Sequence, residues 1–440
     1  ESKMKAPFGC KLLGAQQALG GIRDGVILFH SVVGCNFGSM AFHFASCDMT
    51  EVRQTCTVIS DNEVVFGGEH ALEKALSSAE ELYHPAVIFV VTGCVSDIIQ
   101  DDVKRIAVAF ERTHGRKVIV VEAAGYRGNF QIGYEAGMKA LGMLMEGPQA
   151  EKEMSPMPEK GQETKKKVPE KGSEDAEKCK VSEKGSEDAE KCKVPQVNIL
   201  GIGADDPRCA SDLEALEELF GGKARICTAF SKTDLAGVRR APRADLNLVF
   251  GYGTSLAKEM EQSFGIPYVC LDYPYGLTGA RRLWKVLETR FGLNFEKEEA
   301  AFQARTAEGA KGIYSYLQAL YGLPAAVVGS GARAAGLARF LSAELGMEIE
   351  VCAKREALQD IEETYDEVRR SEAAFLFGSS FEQELADELE IPLLRFDFPV
   401  FDRICLTKRP YIGAEGTLCL LEDLFCEAFA ARTLRGAIYQ

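Results

Sequence analysis

The sequence predicts an α/β fold: three Rossmann-like, doubly wound domains with mainly parallel sheets, interrupted by a disordered charged insert. Three observations point there. Strand-like apolar runs alternate with segments of helical period. A strand, a Gly or Ser turn, a helix, an Ile-Pro step and a further strand recur in the same order in two places. Between the first block and these two lies a stretch with no apolar periodicity. At 440 residues the chain also exceeds the size at which one core keeps growing.

The first domain, 1–148, carries strand patterns over 26–30, 86–91 and 117–121 and a helical pattern over 70–83, so parallel pairing is expected. The insert, 149–195, is of a different kind. From 151 to 195 it has 12 acidic and 11 basic residues, no aromatics, and the tandem repeat "VPEKGSEDAEKCK", "VSEKGSEDAEKCK". It offers too little apolar area to offset the entropy of ordering it. The second domain, 196–322, opens with "VNILGIG", continues through 246–250, a helix over 255–263 and "IPYVCLDYP", and ends in a helical connector over 296–320. The third, 323–440, has "AAVVGSG", a helix over 334–345, "AAFLFGSS", a helix over 381–389, and "IPLLRFDFPVFDR".

Composition removes several functions. A formal charge of -15 argues against nucleic acid and anionic membrane as partners, since both require a basic face. No apolar run reaches the length of a membrane span, and "ESKMKAPFGC" lacks a signal-peptide pattern, so a cytoplasmic protein is expected. No GxxxxGK[ST] loop occurs, and "GSGARAAG" misses the GxGxxG spacing, so a nucleotide-driven step belongs to a partner. GxSxG and HExxH are absent as well.

The cysteines are more informative. Fourteen of them in a large chain without secretion signals read as thiols or metal ligands rather than a disulfide framework. Cys227, Cys270, Cys352, Cys419 and Cys426 sit in apolar stretches, where cysteine acts as a small hydrophobe. Chance would place Gly before Cys about once, yet Gly9-Cys10, Gly34-Cys35 and Gly93-Cys94 all occur within the first 94 residues. Cys35 and Cys94 follow strands closely, and ligands of open parallel sheets bind beyond the carboxyl ends of the strands. Gly34 and Gly93 leave room for a bulky inorganic group. Cysteine ligation without a CxxC pair disfavours structural zinc and favours an iron–sulfur cluster. Three well-placed thiols suggest a cluster shared with a second subunit; Cys47 and Cys56 are the alternatives for a fourth ligand. His30 is expected to be a hydrogen-bonded core residue that can tune a neighbouring cluster. Asp97, Asp101 and Asp102 read as acids opposing a helix dipole, and "FPVFDR" as a turn in which Asp402 and Arg403 pair.

"GCKLLGAQQALGGIRDGVILFHSVVGC", "VVFGGEHALEKAL", "TGCVSDIIQDDV" and "FDFPVFDRICLTKRPYIGAEGT" together resemble the nitrogenase component 1 family across essentially the whole chain outside the insert. The resemblance implies an α2β2-type assembly with an α-like component 1 subunit. It implies an intersubunit iron–sulfur cluster, P-cluster-like [8Fe-7S] or [4Fe-4S], and electrons from a separate ATP-hydrolysing iron protein. Cys10, Cys35 and Cys94 match the family's cluster thiolates. Gly125, in "VEAAGYRGN", stands where some β subunits have a serine that binds the oxidised cluster. Gly251 stands where α chains have the cysteine that holds the catalytic metallocofactor. The chain therefore resembles a β-like subunit of a nitrogenase or nitrogenase-like reductase, with a scaffold subunit for metallocofactor assembly as the alternative. The nine residues before Cys10 are fewer than in molybdenum-type β subunits, which weighs toward a nitrogenase-like or scaffold role. Deleting 151–195 is expected to leave subunit pairing and activity intact, as checked by co-purification with the partner.

Overall fold

The computed structural model describes residues 10–45, 53–147, 194–204, 206–355 and 361–430. Residues 149–193 of the expected disordered insert, and Cys47, lie outside these residues. Twelve strands form three four-stranded sheets among the described residues, every pair parallel. In the first sheet β1 (Gly25–His30), β2 (Gln54–Cys56), β3 (Val87–Thr92) and β4 (Lys117–Glu122) lie in the order β2-β1-β3-β4. The second comprises β5 (Gln196–Leu200), β6 (Arg225–Ala229), β7 (Leu246–Val249) and β8 (Tyr268–Cys270), ordered β6-β5-β7-β8. The third, β9 (Pro324–Gly329), β10 (Glu348–Lys354), β11 (Phe375–Gly378) and β12 (Leu393–Arg395), runs β10-β9-β11-β12. Each sheet reverses its winding between its first and third strands, which is where such sheets open a crevice.

The period-2 pattern explains the layers. Every residue of β1 and β3 is buried. Ile27, Phe29, Val87, Phe89 and Val91 face a core shared with the helices Lys11–Leu19 and Phe130–Gly142. Leu28, Ile88 and Val90 face the opposite way, against the helices Glu69–Tyr83 and Val103–His114. Full burial of each such side chain contributes about 1.5–3 kcal/mol. Continuous apolar runs are what a strand covered on both faces requires.

Sheets two and three share a single core, from Val197 and Leu216 to Phe375 and Phe425. The last described helix, Gly413–Ala430, follows the third sheet in sequence but packs Leu420, Leu421 and Leu424 into this common core, against the helices Cys209–Phe220 and Glu296–Ala310.

The helix Lys11–Leu19 lies against Phe130–Gly142 with almost no side chain between them. A carbon added to Gly14 would overlap the Phe130 carbonyl, one on Gly133 would overlap the Lys11 carbonyl, and one on Gly137 would lie 2.7 Å from the Ala18 Cβ. This close approach seats the start of the first helix at the rim of the first sheet.

His30 is the hydrogen-bonded core residue that its position on the strand predicts. It is fully buried; Nδ1 lies 3.1 Å from Thr57 Oγ1 and Nε2 2.8 Å from Asp101 Oδ2. Asp101 also accepts from the Gly68 N–H at 2.9 Å, so it ties three segments together instead of opposing a helix dipole as expected. Asp102 instead caps the helix Val103–His114 by accepting from the Arg105 N–H at 3.1 Å.

Gly133→Ala should lower stability by about 1–3 kcal/mol, measured by denaturant unfolding, because the helix pair must separate. A pH effect follows from His30. Burial lowers its pKa, outweighing Asp101. As pH falls, the unfolded chain therefore takes the proton first. The stability His30 contributes is complete above about pH 6.5 and is lost as pH falls toward the lowered folded value. His30→Gln should flatten this part of the Tm–pH profile, and two parallel profiles would contradict the assignment.

Candidate metal centre

The carboxyl edge of the first sheet gathers the sequence-predicted thiols. Cys10 caps the helix Lys11–Leu19 and forms an isolated bridge with Asn129. Cys35 lies in the helix Val33–Ala45, just beyond β1. Cys94 opens the helix Cys94–Ile98, just beyond β3. Cys35 and Cys94 thus flank the point where the sheet reverses its winding. Two contacts fix the second of these loops: the Gly93 N–H donates to the His30 carbonyl at 3.0 Å, and the buried Ser96 hydroxyl donates to the same carbonyl at 2.7 Å.

Gly125, beyond β4, sits between two of the thiols. Its N–H donates to Cys94 Sγ at 3.1 Å. A Cβ on it would lie 3.0 Å from Cys10 Cβ and 3.4 Å from Cys94 Sγ, so glycine keeps a space that any side chain would enter. Gly93 is required for a different reason, since a Cβ there would lie 2.6 Å from Ser31 Cβ. A Cβ on Gly34 would meet nothing within 4 Å, so no contact within the chain demands glycine there. Both ring nitrogens of His30 are taken up by Thr57 and Asp101.

Burial pushes the Cys35 thiol up, the Ser31 hydroxyl opposes this, and the charges of Cys10 and Cys94 push it up further. Thiolates that repel one another are stabilised together by iron, because metal binding takes the deprotonated form. Among the described residues no three His, Cys, Asp or Glu side chains converge on one ion. Thiols set apart around an open space suit a cluster, in which separate irons take separate sulfurs. The residues present therefore fit an iron–sulfur cluster. Exposed Val33, Phe37, Ile98 and Tyr126 stand beside the cysteines on the same loops and helices.

The crevice between sheets two and three is built differently. Side chains fill it. Arg333 pairs with Asp206 and lies 3.8 Å from Asp397, stacked 4.1 Å over Tyr273. Arg355 pairs with Glu382 at 2.6 Å and donates to Ser379 at 2.9 Å. Asp212 accepts from the Tyr273 hydroxyl at 2.5 Å and from the Tyr411 N–H at 2.8 Å. Burial, with the charge of Asp206, pushes Asp212 up to about 6. Gly251 takes φ 99°, and a Cβ on it would lie 3.2 Å from Ala332 Cβ. The residues here do not fit a large metallocofactor.

Two further sequence readings resolve in this region. Asp397 accepts from the Ser330 N–H and, at 2.9 Å, from its hydroxyl, so the "GSGARAAG" turn binds a carboxylate of its own chain. The expected Asp402–Arg403 pair does not form: Asp402 takes Arg395, at 2.9 and 2.6 Å, and Arg403 takes Glu427. Side chains of neighbouring residues diverge, whereas Arg395 reaches Asp402 across the turn.

Comparison with known proteins bears on the family and the fold. The family model described as nitrogenase component 1 type oxidoreductase matches residues 10–427. A nitrogenase iron-molybdenum cofactor biosynthesis protein NifE from Methanosarcina barkeri is 30% identical over 266 residues, 59% of this chain; the match spans 50% of that relative's length. A nitrogenase molybdenum-iron protein beta chain from Methanococcus maripaludis is 23% identical over 470 residues, covering 94% of this chain and 92% of the relative. The solved structure of nitrogenase Cp1 at pH 6.5 superposes with a TM-score of 0.72 at 17% identity, covering 98% of this chain and 94% of that one, a likeness of fold. With the family model spanning nearly all of the sequence, the chain belongs to the nitrogenase component 1 type oxidoreductase family.

Proposed function

We propose that the chain is a β-like subunit of a nitrogenase or nitrogenase-like reductase, holding one side of an iron–sulfur cluster through Cys10, Cys35 and Cys94. The observation that carries this reading is the placement of three thiols on one carboxyl edge, with Gly125 between Cys10 and Cys94, its N–H meeting the Cys94 sulfur and its missing side chain keeping the space open. When bound, such a cluster supplies low-potential electron transfer, linking an ATP-hydrolysing iron protein as donor to a cofactor in an α-like partner. The cluster is P-cluster-like [8Fe-7S] or [4Fe-4S]. Gly125 cannot provide the side-chain oxygen of a serine, so a serine-type ligand is missing from that position.

The chain's own residues position and shield the site. Gly93 and Ser96 fix the Cys94 loop to β1, and the helix pair seats Cys10 opposite. The exposed apolar residues beside the cysteines suit an α-like subunit that excludes water and completes an α2β2-type assembly. The filled crevice between sheets two and three supports placing the catalytic metallocofactor in that partner. The match to NifE favours a second reading, a scaffold subunit for metallocofactor assembly.

The experiment is anaerobic co-purification with the product of the neighbouring gene. Iron and sulfide should be present, and Cys94→Ala should lose most of the iron and loosen the pair. Unchanged metal content would falsify the ligand assignment. Rapid reduction by an ATP-dependent iron protein followed by turnover marks the reductase. Release of a bound cofactor precursor to another protein marks the scaffold.

A further inference from the structure

The short helix that opens with Cys94 is held at both ends, and both holds lead to His30. At its start the His30 carbonyl accepts from the Gly93 N–H at 3.0 Å and from the Ser96 hydroxyl at 2.7 Å. Just past its end the Asp101 N–H donates to the Ser96 carbonyl at 3.3 Å, and the Asp101 carboxylate meets the His30 imidazole at 2.8 Å. We propose that Asp101 is a positioning residue for the Cys94 thiolate: by holding His30 it fixes the Cys94 loop, and with it the seat and the reduction potential of the cluster. This assignment rests on the cluster reading above and adds a residue that acts on the cluster through another.

The backbone shows that the contact is enforced. Gln100, the residue before Asp101, holds φ 57°, a left-handed conformation uncommon outside glycine. Strain of this kind persists only where the surroundings over-determine it. Here the Asp101 side chain is 3% exposed and that of His30 is 0% exposed, and both carboxylate oxygens are engaged, Oδ1 by the Gly68 N–H at 2.9 Å and Oδ2 by His30 Nε2. A carboxylate taken out of water is costly unless its oxygens are hydrogen-bonded, so Asp101 fixes the places of both partners.

The influence travels along the chain. Nδ1 of His30 faces Thr57 Oγ1 and Nε2 faces Asp101, so the neutral ring has no hydrogen bond left to offer sulfur. Ring and carbonyl belong to one residue, however, and whatever holds the ring also holds the carbonyl that orders Gly93 and Ser96. Partners that orient a metal ligand from outside commonly govern metal affinity by 10- to 100-fold, and they tune potential as well.

Gly68 offers an independent handle on the same contact. It precedes the helix Glu69–Tyr83, and a Cβ on it would lie 2.5 Å from Asp101 Oδ2 and 3.1 Å from His30 Cε1. Its φ of -92° suits any residue, so alanine at this position acts through the carbon it adds, by pushing Asp101 off His30.

The test uses the anaerobically purified complex. Asp101→Ala and Gly68→Ala should each release iron to a chelator about tenfold faster than the unaltered complex, and each should change the electron paramagnetic resonance signal and midpoint potential of the iron retained. Asp101→Asn keeps an oxygen for the Gly68 N–H and presents an amide donor to the other tautomer of His30, so it should restore the original release rate and signal. Leu76→Ala is the control: it opens a cavity in the core against which this side of the sheet packs, and should lower the Tm while leaving signal and potential unaltered. Should Asp101→Ala fail to assemble, Gly68→Ala decides by the same readings. The positioning role is overturned if the alanine variants behave as Leu76→Ala does, or if Asp101→Asn is as defective as Asp101→Ala. An unaltered complex without iron instead overturns the cluster reading beneath it.

Discussion

The contact on which the site depends contains almost no side chain. Gly14, Gly133 and Gly137 let two helices approach until their backbones touch. That approach carries Cys10, from the very start of the described chain, to the edge where β3 and β4 deliver Cys94 and Gly125. Strand ends alone would place thiols in a line along the sheet. The helix pair adds one from above, turning a line into a cradle. Packing of this kind tolerates no added volume, because interiors are close-packed and a displaced backbone has nowhere to go.

The two later sheets answer the same topology with a different interior. Their strand ends also define a crevice, but Arg333, Arg355, Asp206, Asp397 and Glu382 occupy it as a buried ionic network. Such networks gain little net stability over apolar packing, yet removing one member leaves a charge stranded. Their strength is in fixing one arrangement. Within one chain, a sulfur-lined edge thus sits beside a sealed crevice, a division consistent with one chain holding a cluster and another holding the cofactor.

Much of this was legible in the sequence because its signals are local. The apolar runs of β1, β3 and β9, and the Gly-Cys pairs beyond strand ends, need no knowledge of distant residues. The edge strands β2, β6 and β10 were harder to see: β2 has only three residues, and β10 alternates charged and apolar ones over "EIEVCAK". Asp101 was misread because its partner, His30, lies 71 residues away. The charge network is invisible for the same reason, since Arg333 follows β9 and Asp206 follows β5.

The helix Gly413–Ala430 carries a consequence for how the molecule is made. It completes the core of a sheet whose strands leave the ribosome long before it does. Until that helix emerges, Leu216 and its neighbours lack part of their cover, and the middle of the nascent chain waits with some apolar surface open to water. Synthesis order and packing order diverge here, so the latter two sheets mature together, late, and a ribosome that stops short of Gly413–Ala430 leaves their common core incomplete.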